Sequence, residues 1–200
     1  MAERFAQLHD ARLLAVQPLV SARVRELANM ASAGSFDEFF DGVMRGLLIE
    51  AFIHLGSHEG TVWLLDEERT HLVPRFNSGP NAASFVGSFR QSLTSGMISM
   101  VVSTEQPICE NDVHRNRQQD KKLDGVLGVL TCSMVATPLY FGGELRGVIS
   151  AVRLKPTPDS PEPPGFSPEQ LELLQLTAAV FARLVDRQLM ALALGLEDYA

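Results

Sequence analysis

Residues Cys132–Leu154 read CSMVATPLYFGGELRGVISAVRL. Two runs of small, β-branched and apolar residues flank the pair Gly142–Gly143, and side-chain character alternates along both. A period of two puts successive side chains on opposite faces of a sheet. A glycine pair supplies the backbone angles that a tight hairpin turn requires. The stretch therefore predicts two antiparallel strands, 132–141 and 144–154.

Downstream, KPTPDSPEPPG (155–165) is a proline-rich, solvated connector. It runs into FSPEQLELLQ, where Ser167 has the character of an N-cap, Pro168 of the first helical residue and Gln170 of the third. Leu171, Leu174, Ala178, Phe181 and Val185 then recur at threes and fours, which predicts a long closing helix. That helix has a second apolar flank of Leu173, Val180 and Leu184, followed by LMALAL at 189–194. One sheet face absorbs one stripe, so the second calls for another partner. The N-terminal helix of the same chain is one candidate; the expectation is a homodimer built through the terminal helices.

Upstream, Phe5, Leu8, Leu13 and Val16 have helical spacing, and Pro18 either opens a second helix or kinks a single long one. ASAGS (31–35) breaks this run. Ser35 and Glu38 form a capping-box pattern ahead of the stripe Phe39, Phe40, Val43, Met44, Leu47, Leu48 and Ala51. From Gly60 the period shortens: GTVWLLDEE and THLVPRFN read as a hairpin, and ASFVGSFRQSL (83–93) as a third strand. GMISMVVSTEQ (96–106) reads as a short helix, PICEN (107–111) as a brief strand, and 112–130 as loop with a short helix. The chain thus encloses an antiparallel sheet between helices, an α+β architecture.

Composition narrows the function classes. A net charge of −7 and a pI near 5.2 argue against a nucleic-acid-binding surface. No apolar run approaches the roughly 18–20 residues that a membrane span needs. The first residues, MAERFAQLHDARLLAV, lack the character of a signal peptide. Two cysteines, Cys109 and Cys132, make no disulfide framework and suit a reducing, cytoplasmic setting.

The order of elements and the local motifs resemble a GAF domain. The resemblance is most specific at the 132–154 hairpin, extends through SGMISMVVSTEQPICENDV (95–113) and FSPEQLELLQLTAAVFARLV (166–185), and covers residues 36–190. It implies a central antiparallel sheet with N- and C-terminal helices on one face and a ligand pocket, covered by loops and helix, on the other (a GAF-like, PAS-related fold). It divides the chain into an N-terminal helical extension (1–34), a GAF domain (35–190) and the tail of the last helix (191–200).

The family's role implies a non-catalytic sensory or regulatory domain that binds a small molecule between the sheet and residues 96–131. Carried onto this chain, the pocket comprises Phe89, Ile98, Cys109, Asn111, Asp112, His114 and Leu127, with Cys132, Met134 and Ala136 from the penultimate strand. Asn111, Asp112 and His114 would set the ligand's orientation. Strand register is not fixed by sequence, so Ser133 and Val135 are an equally legal set. The ligand or cofactor is unspecified. An effector protein is a possible partner; if the chain is complete, output passes through such a partner or its own oligomeric state, and if excised, the terminal helices are linkers.

Sharper chemistry has weaker support. Cys109, Glu110, Asp112 and His114 are metal-binding types, but on an extended segment 110, 112 and 114 share a face and Cys109 points away. Some GAF proteins reduce free methionine sulfoxide with several cysteines in the short helix and the loop before the penultimate strand. Here those segments read GMISM and DGVLGVL, without cysteine. Neither cysteine precedes a histidine, as bilin attachment requires, and NRQQDKKLD lacks the Phe-Asp-Glu of the cyclic-nucleotide signature. The alternatives retained are an interaction module with a vestigial pocket and, less favoured, a cysteine-dependent redox enzyme.

Overall fold

The computed structural model describes residues 11–31 and 36–196. Phe5, Leu8 and the cap at Ser35 lie outside them, and Leu13 is described only in its backbone. Six strands form one antiparallel sheet: β1 (Glu59–Leu65), β2 (His71–Asn77), β3 (Gln91–Ser92), β4 (Ile108–Glu110), β5 (Leu130–Phe141) and β6 (Glu144–Lys155). Their spatial order is β3-β2-β1-β6-β5-β4. The β5–β6 hairpin lies where the alternation put it, turning at Gly142 and Gly143 with φ of +61° and +80°. Only residues without a Cβ take such angles at little cost.

Helix α1 (Ala11–Met30) runs through Pro18 as one element. The amphipathic run after it is two helices rather than one, α2 (Phe36–Phe39) and α3 (Gly42–His54), with Asp41 as the N-cap of the second. Its carboxylate accepts the Met44 N–H at 2.8 Å, satisfying an amide that the first turn leaves free. Restarting the helix there changes its phase. Met44, Leu48, Ala51 and Phe52 are buried, while Val43 faces solvent. The last helix, α7 (Pro168–Leu194), starts with the expected capping box between Ser167 and Gln170.

The segment 83–93 is not a strand. It forms one helical turn, α4 (Ala82–Phe85), then a loop, and only Gln91–Ser92 pair with β2. Phe85 is buried by that turn and Phe89 packs edge-on against Trp63, with ring centroids 6.3 Å apart. The turn stops before Phe89, because Val86 is extended and Gly87 has a φ of +77°, and tertiary packing overrides the strand propensity of the segment.

The sheet separates two apolar clusters. On one face Val62, Leu64, Phe76, Val135, Leu139, Phe141, Ile149 and Ala151 meet α1, α2, α3 and α7. On the other, Trp63, Leu65, Leu72, Ala136 and Val148 meet Ile98 and Val101 of α5 (Met97–Thr104). β5 carries one extra residue at Cys132: Thr131 opposes Leu154, Ser133 opposes Arg153, and Cys132 is left unpaired between them. Such a bulge reverses the inside–outside parity of everything before it. Against Gly147 of β6 the backbone carbonyl of Trp63 packs so closely that no Cβ fits there.

Candidate functional site

On the face away from the terminal helices, the sheet and the segment 96–131 enclose a cavity of about 70 Å³. Its floor is Thr61 and Trp63 of β1, Thr131 and Met134 of β5, and Ser150, Val152 and Leu154 of β6. Met97 and Ile98 of α5 and Leu123 and Leu127 of α6 (Lys122–Leu127) form the lid. Thr131 and Met134 share this floor although their numbers differ in parity, because the bulge at Cys132 lies between them.

Hydrogen bonds at two carboxylates hold the lid to the sheet. Asp120 accepts from Gln91 Nε2 at 3.2 Å, Ser95 Oγ at 3.1 Å and the Lys122 N–H at 3.1 Å, tying the start of α6 to β3 and to the turn before α5. Burial alone would raise its pKa; these donors outweigh burial and leave the group below its ordinary value. Asp124 accepts from the Thr131 N–H at 2.8 Å, Thr131 Oγ1 at 2.7 Å and Gln119 Nε2 at 2.8 Å, tying α6 to the start of β5.

A third carboxyl, Glu59, opens β1 at the cavity wall and is buried. Burial pushes its pKa up and the nearby Asp124 charge adds to this, against a hydrogen bond from Asn77 that favours the ionised form. Trp63 Nε1 donates to Ser150 Oγ at 3.0 Å, fixing the indole within the floor. Gln119 Oε1 is buried without a hydrogen-bond donor among the described residues.

Of the residues the resemblance assigns to the pocket, the fold brings Ile98, Leu127 and Met134 to the cavity. Phe89 and Ala136 stand behind it in the same apolar cluster. The remaining five lie elsewhere. Asn111 clamps the connector before α7: its Oδ1 accepts the Phe166 N–H at 2.7 Å and its Nδ2 donates to the Phe166 carbonyl at 3.0 Å. Cys109 is exposed beside the same carbonyl, 3.6 Å from it. Asp112 immediately precedes the 3-10 turn Val113–Arg115 at the surface, and its carboxylate pairs with Arg115 at 3.1 Å.

Cys132, as the bulge residue, points with Ser133 away from the cavity and meets His114 and Glu162, the three ligand-type atoms lying within 4.8 Å of one another. Lys155 Nζ is 2.7 Å from the Glu162 carboxylate, and Arg115 is 3.6 Å from it. Burial first, and then Glu162, push the Cys132 thiol up to about 11. This cluster fastens the connector to the sheet from outside.

The sequence reading missed Glu59, Gln119, Asp120 and Asp124. Glu59 shares the parity of Thr61 and Trp63, so the alternation of β1 did point to it. Nothing local distinguishes Asp120 and Asp124 from other acids in a polar loop. Their roles come from partners about 25 residues or more away (Gln91 and Ser95) and from the start of the next strand.

A family model described as GAF domain matches residues 33–186. No protein with a curated description matches the chain in sequence. Among solved structures, it is similar to the GAF domain of an Acinetobacter phosphoenolpyruvate-protein phosphotransferase, at 17% identity over 90% of this chain and 97% of that one, with a TM-score of 0.58. It is similar also to the GAF-B domain of DevS from Mycobacterium smegmatis, at 19% identity over 79% and 97% of the two chains, with a TM-score of 0.55. A type II free methionine-R-sulfoxide reductase from Thermoplasma acidophilum shares the fold at 18% identity over 82% and 96%, with a TM-score of 0.54. At these identities the likeness is one of fold. With the family model matching most of its length, and a six-stranded sheet set between terminal helices and a lidded cavity, the chain belongs to the GAF domain family.

Proposed function

We propose that the protein is a non-catalytic sensory domain. It binds a small molecule between the sheet and the α5–α6 lid, and its terminal helices pair with those of a second copy in the cytoplasm. The observation that carries the reading is the lid itself. Asp120 and Asp124 hold it by directed hydrogen bonds over a space that is neither filled by side chains nor open to bulk solvent on all sides. A mostly apolar cavity with a few convergent polar groups is the usual form of a small-molecule site.

Neither cysteine lines the cavity, and the Cys132 thiol is held in its protonated form near neutral pH. Thiol chemistry needs the opposite arrangement, an accessible sulfur with a lowered pKa. No helix among the described residues is long and apolar enough to cross a membrane.

The dimer reading rests on apolar side chains that the described residues leave uncovered. Leu19 of α1 is 71% exposed and Leu176 of α7 is 62% exposed, although α1 and α7 pack on each other. Native mass spectrometry of freshly purified protein tests both parts together. A two-chain species carrying a small retained mass is expected. A monomer at micromolar concentration would overturn the dimer. An empty protein with no thermal response to any small molecule would favour the second reading, an interaction module whose small cavity is vestigial.

A further inference from the structure

The ionisable groups on the cavity all have one sign. Glu59, Asp120 and Asp124 line it, and among the described residues no lysine, arginine or histidine does. Asp120 is the best compensated of the three, with Lys122 at 3.4 Å on the outer rim. Asp124 is hydrogen-bonded by neutral donors only, which fix its geometry without cancelling its charge. Glu59 is buried, has Asn77 as a neutral donor, packs its carboxylate against Gly79 and feels the like charge of Asp124, which lines the same cavity. The start of α5, which carries partial positive charge, already has Asp120 beside it: a Cβ on Gly96 would lie 3.3 Å from the Cβ of Asp120. An anionic ligand would therefore meet buried negative charge with no cation to receive it.

Resting on the small-molecule reading above, we infer that the cavity takes a small organic ammonium ion, a primary amine on a short apolar body that carries no carboxylate. An ammonium supplies donors to Glu59 and to the orphaned Gln119 Oε1, and its charge balances a carboxylate that has no counter-ion among the described residues. Trp63 lines the same space, and indole is the strongest aromatic partner for such a cation. The apolar body meets Ile98, Leu127 and Met134.

A bare metal ion fits less well. It needs several oxygens converging at about 2.0–2.6 Å, whereas the metal-ligating groups that gather closely among the described residues are His114, Cys132 and Glu162, outside the cavity. The size is also restrictive: about 70 Å³ is roughly half the ~150 Å³ of an engineered cavity that holds benzene. The size therefore favours a ligand whose inserted part is a few heavy atoms.

Three probes on one branched four-carbon skeleton separate the possibilities: isobutylamine, isobutanol and isobutyrate, titrated calorimetrically into the full chain and followed by thermal unfolding. The amine should bind and raise the melting temperature, with the alcohol and the carboxylate weaker by about tenfold or more. Glu59→Gln, which keeps the size and the Asn77 partner, should weaken the amine by a similar factor. Leu127→Trp, on the half-exposed lid helix, should abolish binding by filling the cavity. Equal binding of alcohol and amine, or unchanged amine binding by E59Q, overturns the ammonium inference while the cavity remains a ligand site. The same holds if no probe binds but native mass spectrometry finds a retained ligand that L127W expels. If no probe binds and no ligand is retained, the inference and the small-molecule reading fall together.

Discussion

Asn111 and Phe166, 55 residues apart, hold each other by two hydrogen bonds, Phe166 N–H to Asn111 Oδ1 at 2.7 Å and Asn111 Nδ2 to the Phe166 carbonyl at 3.0 Å. The clamp seats Phe166 under the Arg153 guanidinium, 4.1 Å above its ring, and fixes where α7 begins. Asn111→Ala leaves the Phe166 N–H and carbonyl without this partner. It should cost about 1–3 kcal/mol in urea unfolding, with amine binding unchanged. A loss of ligand binding at unchanged stability would instead place Asn111 in the pocket.

Gly147 predicts a harsher result. The Trp63 carbonyl occupies the space of a Cβ, and that atom belongs to the backbone of the neighbouring strand. Neither side can rotate away, so Gly147→Ala has to part β1 from β6. The expected loss is about 3 kcal/mol or more, read from the urea midpoint. A variant within about 0.5 kcal/mol of the parent, the usual range of a surface change, would contradict the close approach.

Glu59 should leave a signature in pH. Burial foremost, with Asp124 adding to it, raises its pKa above the ordinary 4.5. A group with a raised folded-state pKa holds its proton more tightly folded than unfolded. Its contribution to stability is then present below about 4.5 and lost as pH rises through the folded value. Glu59→Gln removes that loss. The variant should be more stable than the parent at pH 7, and the gap should narrow as pH falls to 4.5. A gap independent of pH would assign the effect to packing alone.

The helix-mediated dimer predicts that a charge on the uncovered face separates the subunits without unfolding them. Leu176→Glu, at a position exposed within the chain, should give a monomer by analytical ultracentrifugation with unchanged circular dichroism. A dimer that survives this substitution and the corresponding Leu19→Glu would place the contact elsewhere.

Local signals read well from this sequence. The β5–β6 hairpin follows from alternation and a glycine pair, and α7 from a cap, a proline and a stripe, each written in one continuous stretch of the chain. Where partners are distant, residue type does not give position. Asn111, Asp112 and His114 have the chemistry of a binding loop, yet Asn111 serves Phe166, Asp112 a surface turn, and His114 approaches Glu162 at 3.4 Å. Conversely, Asp120 reads as a solvated loop acid until Gln91 and Ser95 are brought to it. The segment 83–93 misleads for a different reason: its apolar residues suit either period, and only tertiary packing, with Phe85 buried and Phe89 against Trp63, decides between them.

The unpaired Cys132 gives β5 two phases, with Thr131 and Met134 on one side of the sheet. Relatives sharing 17–19% identity offer few anchors for alignment, and one that lacks the extra residue would fall out of step across this point. Read without a gap at Cys132, either the residues before it or those after it would be exchanged between the ligand side and the helix side. A transfer of binding residues from a relative that lacks the extra residue therefore has to put its gap at that cysteine.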